Sequence, residues 1–353
     1  MNTLYKDSLN LLQQLIATES YSGQEGGTAL HLKNWCKEHQ IDFQDIGHTV
    51  WATNLNFDPN KPTLLLNSHH DTVTPNKAYT RDPFSPKIED GKLYGLGSND
   101  AGGALVSLLA AFTHFYAAKN LSHNMLYVAS VEEETAGPKS LRGILDQLPP
   151  IDLALVGEPT QMQMAIAEKG LLVFDGLIEG TPSHAAHPNS DNPIMKLPSV
   201  LEWFANYQFD RASAVLGPVK MTVTQVSAGS QHNVVPAQVK LVVDVRVNDQ
   251  YSNVELAALL QKEAPCTLTP RSLHLTSSSI SATHPLVQAG IQLGRSTYGS
   301  PTLSDQAALQ CPSLKMGPGD STRSHSADEF IFTHEIEEAI SLYIALLNQY
   351  LIS

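Results

Sequence analysis

The sequence predicts an α/β protein with a mostly parallel mixed sheet flanked by helices, interrupted by a smaller α+β insert. Three observations carry that expectation. Short apolar runs alternate with helix-length amphipathic segments, the pattern of strands joined by crossover helices. Three of the runs, residues 63–68, 124–131 and 151–157, are followed at once by acidic or histidine residues. Buried parallel strands read as continuous apolar runs, and functional groups gather beyond their carboxyl ends. From residue 171 the texture becomes strand, helix, strand, strand, helix, strand, a ferredoxin-like order.

Taken along the chain, residues 7–19 place Leu9, Leu11, Leu12, Leu15 and Ile16 at helical spacing. The loop Glu19-Ser20-Tyr21-Ser22-Gly23 follows, and residues 27–39 repeat the helical pattern. The first strand closes on His69-His70-Asp71, and a loop rich in Pro and Gly covers residues 72–99. Asp100 precedes a long run of small and apolar residues, so it reads as the N-cap of a helix over 101–119. Gly102-Gly103 in its first turn suggests close backbone packing. The second strand closes on Glu132-Glu133-Glu134 and the third on Glu158. In the insert, strands are expected over 171–180, 219–227 and 237–247, and helices over 193–207 and 252–263. Beyond the Ser-rich stretch at 276–279, a helix is expected over 284–298. A short strand from Cys311 to Met316, a glycine-rich loop to His325 and a helix over 334–352 complete the chain. The expected domains are 1–170 with 283–353, and an insert over 171–282.

Bulk composition narrows the function. The 353 residues are 42% hydrophobic and 16% charged, enough for proper cores in one large or two moderate domains. The net charge of −13 disfavours nucleic acid and anionic membrane, both of which demand clustered Lys and Arg. No apolar stretch reaches the roughly 20 residues of a membrane span, and the N-terminus lacks a signal pattern. Cys36, Cys266 and Cys311 are far apart and form neither a disulfide framework nor a metal knuckle, which predicts a reducing cytoplasm. Any zinc would be held by His, Asp and Glu.

Carboxylates gathered at one sheet edge repel one another, and bound cations are the natural remedy. Isolated histidines such as His114, His123 and His274 carry no such context and read as structural. No Gly-Lys-Ser phosphate loop and no Gly-x-Ser-x-Gly nucleophile elbow is present.

Five motifs in order resemble a family of zinc exopeptidases and deacylases. It includes acetylornithine deacetylase, succinyl-diaminopimelate desuccinylase, aminoacylase and carboxypeptidase G. The motifs are His69-His70-Asp71, Gly95-Leu96-Gly97-Ser98-Asn99-Asp100, Glu132-Glu133-Glu134-Thr135, Gly157-Glu158-Pro159-Thr160 and Ser324-His325-Ser326-Ala327-Asp328-Glu329. The resemblance spans almost the whole chain. It implies a zinc exopeptidase-like catalytic domain with an inserted dimerisation or lid domain. It also implies two divalent ions per subunit, Zn2+ first with Co2+ or Mn2+ as alternatives. One ion would be held by His69, Asp100 and Glu158, and the other by Asp100, Glu134 and His325, with Asp100 bridging. Glu133 would be the general base. The triple glutamate leaves a one-residue choice, and aligning Thr135 with the family's threonine favours Glu133 and Glu134. Asp71 would hydrogen-bond His69 and fix its tautomer, and a cis peptide is expected after Asp100.

In the insert, the resemblance makes His184 the stabiliser of the oxyanion, acting across a homodimer, with His187 as the lesser candidate. Asn233 lies near that site. Arg246 would grip the substrate α-carboxylate with its guanidinium fork, and backbone N–H groups of Gly317 and Gly319 could join it. Ser304 would line the pocket. The implied reaction is hydrolysis of an N-acyl amino acid. The glutamate motifs favour N-acetylornithine or N-acylcitrulline in arginine biosynthesis, although Asp100-Ala101-Gly102-Gly103 departs from the usual Asp-Met-Lys-Gly. Succinyl-diaminopimelate desuccinylase, acetyl-lysine deacetylase and a metallo-dipeptidase are the alternatives within the class. A catalytically silent metal-binding scaffold is the alternative outside it.

Overall fold

The apolar run before His69 becomes the strand Thr63–His69, all seven residues of which are buried. Asn124–Ser130 and Leu153–Val156 are likewise buried throughout. Only a strand covered on both faces requires such a run. The computed structural model describes residues 2–352. Met1 and Ser353, the ends of the expected outer domain, lie outside the described residues.

Four strands pair in parallel, in the order Asn124–Ser130, Thr63–His69, Leu153–Val156, Ser313–Lys315. Antiparallel strands flank them. Thr49–Thr53 and Gln44–Ile46 extend one side. Met164–Glu168 extends the other, and Ser278–Ser279 and Thr297–Ser300 pair with it. Alternate residues face opposite layers, as the two-residue period of a strand demands. Leu64 and Leu66 join a large core with Leu12, Leu105, Phe112, Tyr127 and Tyr343. Leu65 joins a smaller one with Trp51, Leu126, Ile144 and Val156. Among the helices of the large core are Asn2–Ile16, Gly103–Phe115 and Thr333–Leu351.

Two expected elements need correction. The helix after Asp100 begins only at Gly103, behind a wide turn over Ser98–Gly102, and Gly102 rather than Asp100 is its N-cap. Asp100 has extended dihedrals (φ −119°, ψ 98°), which release its side chain from the helix. The helix expected over 284–298 stops at Gln292, and Thr297–Ser300 is a strand. Gly294 in the left-handed conformation (φ 78°) makes the break between them.

The chain divides into two compact units. One comprises the chain up to Ile166, Ser279–Tyr298 and the stretch from Ser304 onward. The other comprises Ala167–Ser278 and Gly299–Leu303. In the second, an antiparallel sheet runs Lys220–Ala228, Gln238–Val247, Gly170–Glu179, Thr267–Pro270. With the helices Pro193–Asn206 and Asn253–Glu263 it has the β-α-β-β-α-β order. Asn192 and Ser252 cap these helices, accepting the N–H groups of Ile194 and Glu255. Leu172, Phe174, Val243, Val245, Leu256 and Leu260 form its core. Where the chain enters and leaves this unit, the two segments are stitched together. The Leu171 N–H donates to Leu275 O (2.9 Å), and Asn253 Nδ2 donates to the same carbonyl (2.9 Å).

Phe112 is wholly buried among the helices and the large sheet. Phe112→Ala is expected to cost about 3–5 kcal/mol, read as a lower urea midpoint by circular dichroism. An unchanged midpoint would mean that this helix contributes little to the core.

Candidate metal centre

Register alone brings three of the motifs together. His69 is the parallel partner of Ser130, and Asn67 is the partner of Val156. His69, the glutamates after Val131, and Glu158 therefore leave the sheet along one carboxyl edge. The remaining two motifs arrive through a small three-stranded sheet, Phe330–Phe332, Lys92–Tyr94, Lys87–Glu89. Pairing of Phe330 with Tyr94 sets the segment ending in Glu329 beside the segment starting at Gly95. His325 and Asp100 lie on those two segments.

Asp100 is at the centre of the cluster. Its Oδ1 is 3.4 Å from His69 Nε2, and its Oδ2 is 3.6 Å from His325 Nε2. His69 Nε2 is also 3.7 Å from Glu158 Oε1, and His325 Nε2 is 3.1 Å from Glu134 Oε2. One donor atom each from His69, Asp100 and Glu134 lies within 4.8 Å of the others. Two donors about 2.0–2.1 Å from a tetrahedral ion stand roughly 3.3–3.4 Å apart. The donor set and its spacings therefore fit a divalent metal centre at this cluster. The peptide Asp100–Ala101 is cis.

Three buried carboxylates hold this cluster through backbone N–H groups. Asp71 Oδ1 accepts from Glu133 N (3.1 Å), and its Oδ2 accepts from Glu134 N (3.2 Å) and Ser22 Oγ (2.6 Å). This refines the expected role of Asp71. His69 Nδ1 lies 3.0 Å from its main-chain oxygen and 3.4 Å from its carboxylate, and the carboxylate chiefly fixes the glutamate turn. Glu25 Oε1 accepts from Gly23 N (2.6 Å) and Glu132 N (3.2 Å). Glu329 Oε1 accepts from Asn99 N (2.8 Å) and Asp100 N (2.9 Å). His70 is buried and structural: Nε2 meets His48 O, Nδ1 meets Thr28 Oγ1, and burial holds its pKa down to about 4.

Burial sets much of the electrostatics. It lifts Glu133 well above the ordinary glutamate range; Glu158, Asp305 and Glu134 add to this and His69 opposes it. Burial likewise pushes Glu158 up to about 8, against the pull of His69. Burial disfavours charge on His69, yet its bonds to Asp100 and Asp71 hold it well above the usual imidazole range. His325 is raised to about 9, first by its hydrogen bond to Glu134. Asp305, pushed up to about 6 by burial, accepts a 2.5 Å hydrogen bond from Ser130.

Not every expected site residue keeps its expected role. The Gly317 N–H donates to Thr160 Oγ1 (3.0 Å), so it is not offered to a carboxylate. A Cβ there would stand 2.4 Å from Glu158 O, so glycine is needed for packing. Gly319 takes a left-handed conformation (φ 86°) against Asn99. Ser304 is buried and caps the turn Asp305–Ala308 by accepting from Gln306 N. In the inserted unit, the Arg246 guanidinium is bidentate on Asp244 (Nε–Oδ1 2.9 Å, Nη2–Oδ2 3.2 Å). The short ladder between Ser183–His184 and Val234–Val235 brings His184 and Asn233 close, with Ala185 N donating to Asn233 O (2.9 Å). His184 is exposed, and its Nδ1 accepts from Ala186 N (3.1 Å). Sequence reasoning assigned no role to Glu25, Asp305 or Glu329, each of which bonds a segment distant along the chain.

The model of a family described as "Peptidase family M20/M25/M40" matches residues 65–349. Among similar proteins is the succinyl-diaminopimelate desuccinylase of Beijerinckia indica, 28% identical over 97% of this chain and 98% of that protein. Another is the succinyl-diaminopimelate desuccinylase of Wolbachia pipientis wMel, 26% identical over 98% and 93%. Solved structures with this fold include an M20 family metallo-carboxypeptidase from Sulfolobus solfataricus. It has a TM-score of 0.75 at 19% identity, covering 97% of this chain and 99% of that one. A dinuclear metal-binding M20 peptidase from Bacillus subtilis has a TM-score of 0.74 at 17% identity, covering 99% and 98%.

Zn2+ or Co2+ added to chelator-stripped protein is expected to raise its melting temperature in a concentration-dependent way. His69→Ala should remove most of that shift in differential scanning fluorimetry. A wild-type protein indifferent to both ions would contradict the centre.

Proposed function

We propose, from the premise that this chain belongs to the peptidase family M20/M25/M40 and is a metal-dependent amide hydrolase, that it removes the acyl group from a small N-acyl amino acid. The observation that carries this reading is the placement of Asp100 between His69 and His325, with Glu133 half-buried beside them. His69, Asp100 and Glu158 would hold one ion, and Asp100, Glu134 and His325 the other. When bound, the ions supply Lewis-acid polarisation of the amide carbonyl and a more acidic water.

The chain's own groups do the rest. Glu133 takes a proton from the attacking water as the C–O bond forms, and returns it to the amine nitrogen as the C–N bond breaks. A base for that task works best with a pKa near the working pH, and burial moves Glu133 in that direction. With Nδ1 of His184 accepting from Ala186, Nε2 is the ring nitrogen left to donate. That arrangement suits donation to a developing oxyanion. Arg246, oriented by Asp244, would receive the substrate carboxylate.

For the acyl group, the names of the relatives support an N-succinyl diamino acid first, with succinyl-diaminopimelate as its type. A second reading, acetylornithine or an acylcitrulline, is favoured by the Glu132-Glu133-Glu134-Thr135 and Gly157-Glu158-Pro159-Thr160 contexts. A homodimer is proposed through the inserted unit, whose strand Lys220–Ala228 pairs on only one side within the sheet and so presents an open edge. Free Cys36, Cys266 and Cys311 support a cytoplasmic setting. No helix among the described residues is long and apolar enough to cross a membrane.

A panel of succinyl-diaminopimelate, N-acetyl and N-succinyl ornithine and citrulline, acetyl-lysine and dipeptides, scored by free amine, tests the reading. Preference for one acylated amino acid supports it. Dipeptides alone would move the protein to peptide hydrolysis, and silence with metal bound would favour a scaffold. Glu133→Gln is expected to lower kcat about 100-fold or more while metal content is retained; surviving activity would displace Glu133 as the base. His184→Ala should lower kcat far more than metal content. Mixed with Glu133→Gln subunits, it should recover activity if His184 serves a partner subunit, and no recovery would mean a site completed within one chain.

A further inference from the structure

Glu329 does not belong to the set that would touch an ion or a substrate, yet it grips the segment that carries Asp100 at four points. Its Oε1 accepts the N–H groups of Asn99 (2.8 Å) and Asp100 (2.9 Å), its Oε2 accepts that of Gly97 (3.2 Å), and its main-chain oxygen accepts that of Gly95 (2.9 Å). The residue is 2% exposed. A buried carboxyl is costly unless its oxygens are saturated with donors, and here backbone N–H groups supply them. Three N–H groups of one short segment converge on this single carboxyl and hold the Gly97–Asp100 backbone in one shape.

The same residue ends the segment that carries His325. That segment is tied down independently. Asp328 accepts from Thr80 N (2.9 Å), Arg81 N (2.9 Å) and Thr80 Oγ1 (2.5 Å), and Asn76 Nδ2 donates to His325 O (3.1 Å). Asn99 adds a reverse stitch, donating to Asp320 O (3.1 Å) and accepting from Asp320 N (2.9 Å). His325 itself is in the left-handed conformation (φ 56°), which a residue with a Cβ keeps only when its surroundings impose it. Glu329 therefore joins two loops whose tips carry two of the three groups around one proposed ion position.

We infer that Glu329 is a positioning residue that sets the spacing between Asp100 and His325, and so the affinity of the ion those two share with Glu134. The inference rests on the two-metal reading above. Glutamine is the informative replacement. It retains one acceptor oxygen but turns an NH2 group toward either Gly97 N–H or the Asn99 and Asp100 pair, setting donor against donor.

The test uses the full-length protein stripped of metal and titrated with Zn2+. Ions bound per chain are counted by atomic absorption, and the melting temperature of the metal-free form is measured in parallel. Wild type is expected to take two ions. Glu329→Gln and Glu329→Ala should bind the second about 10- to 100-fold more weakly, the usual effect of losing a group behind a metal ligand. The first ion should be affected less, because His69 and Glu158 have no bond to Glu329. Should the alanine variant fail to fold, the glutamine variant decides. Two ions bound by Glu329→Gln as tightly as by wild type would overturn the inference alone. So would a weakening matched by an equal loss of stability in the metal-free form, which marks a purely structural role. A wild-type protein that takes up no ion would overturn the two-metal reading and this inference with it.

Discussion

Asp71, Asp100, Glu133, Glu134, Glu158, Asp305 and Glu329 crowd around two imidazoles at one edge of a buried sheet, and their mutual repulsion is the constraint that the surrounding structure answers. In a medium of low polarity, like charges a few ångströms apart interact far more strongly than in water. The proton affinities record the tension. Burial lifts Glu133, Glu158, Asp305 and Glu329, while Asp100 and Asp71, each bonded to His69, are held below the usual carboxylate range against that same burial. Divalent cations would relieve the crowding directly.

The acids divide by what neutralises them. Asp100, Glu134 and Glu158 face histidine nitrogens and have oxygens to share with an ion. Asp71, Glu25 and Glu329 face backbone N–H groups, which act as fixed partial positive charges and define the path of the chain. The second group therefore shapes the loops from which the first group projects. Asp71 is the clearest case, since one carboxylate receives the N–H groups of both Glu133 and Glu134.

Much of this was legible in the sequence because strand register is legible. Thr63–His69, Asn124–Ser130 and Leu153–Val156 are continuous apolar runs, and each is followed by the residues that meet at the edge. What the sequence hid depends on hydrogen bonds between distant segments. Asp100 reads as a helix cap because it precedes a helical run, but the wide turn over Ser98–Gly102 gives it another position. Gly317 reads as a free donor until Thr160, 157 residues earlier, takes its N–H. Glu329, four residues beyond His325, carries no local signal, because its partners lie about 230 positions away.

The closure of the inserted unit on itself has a topological consequence. Leu171 and Leu275 are hydrogen-bonded neighbours although about a hundred residues separate them. The excursion Ala167–Ser278 thus departs and returns at neighbouring residues, as a tight loop would, and Gly299–Leu303 joins the same unit later in the chain. Such an arrangement lets an ancestral gene acquire, exchange or lengthen the insert without re-threading the host. It also makes that junction the natural place for a protein engineer to swap in another module or open new termini.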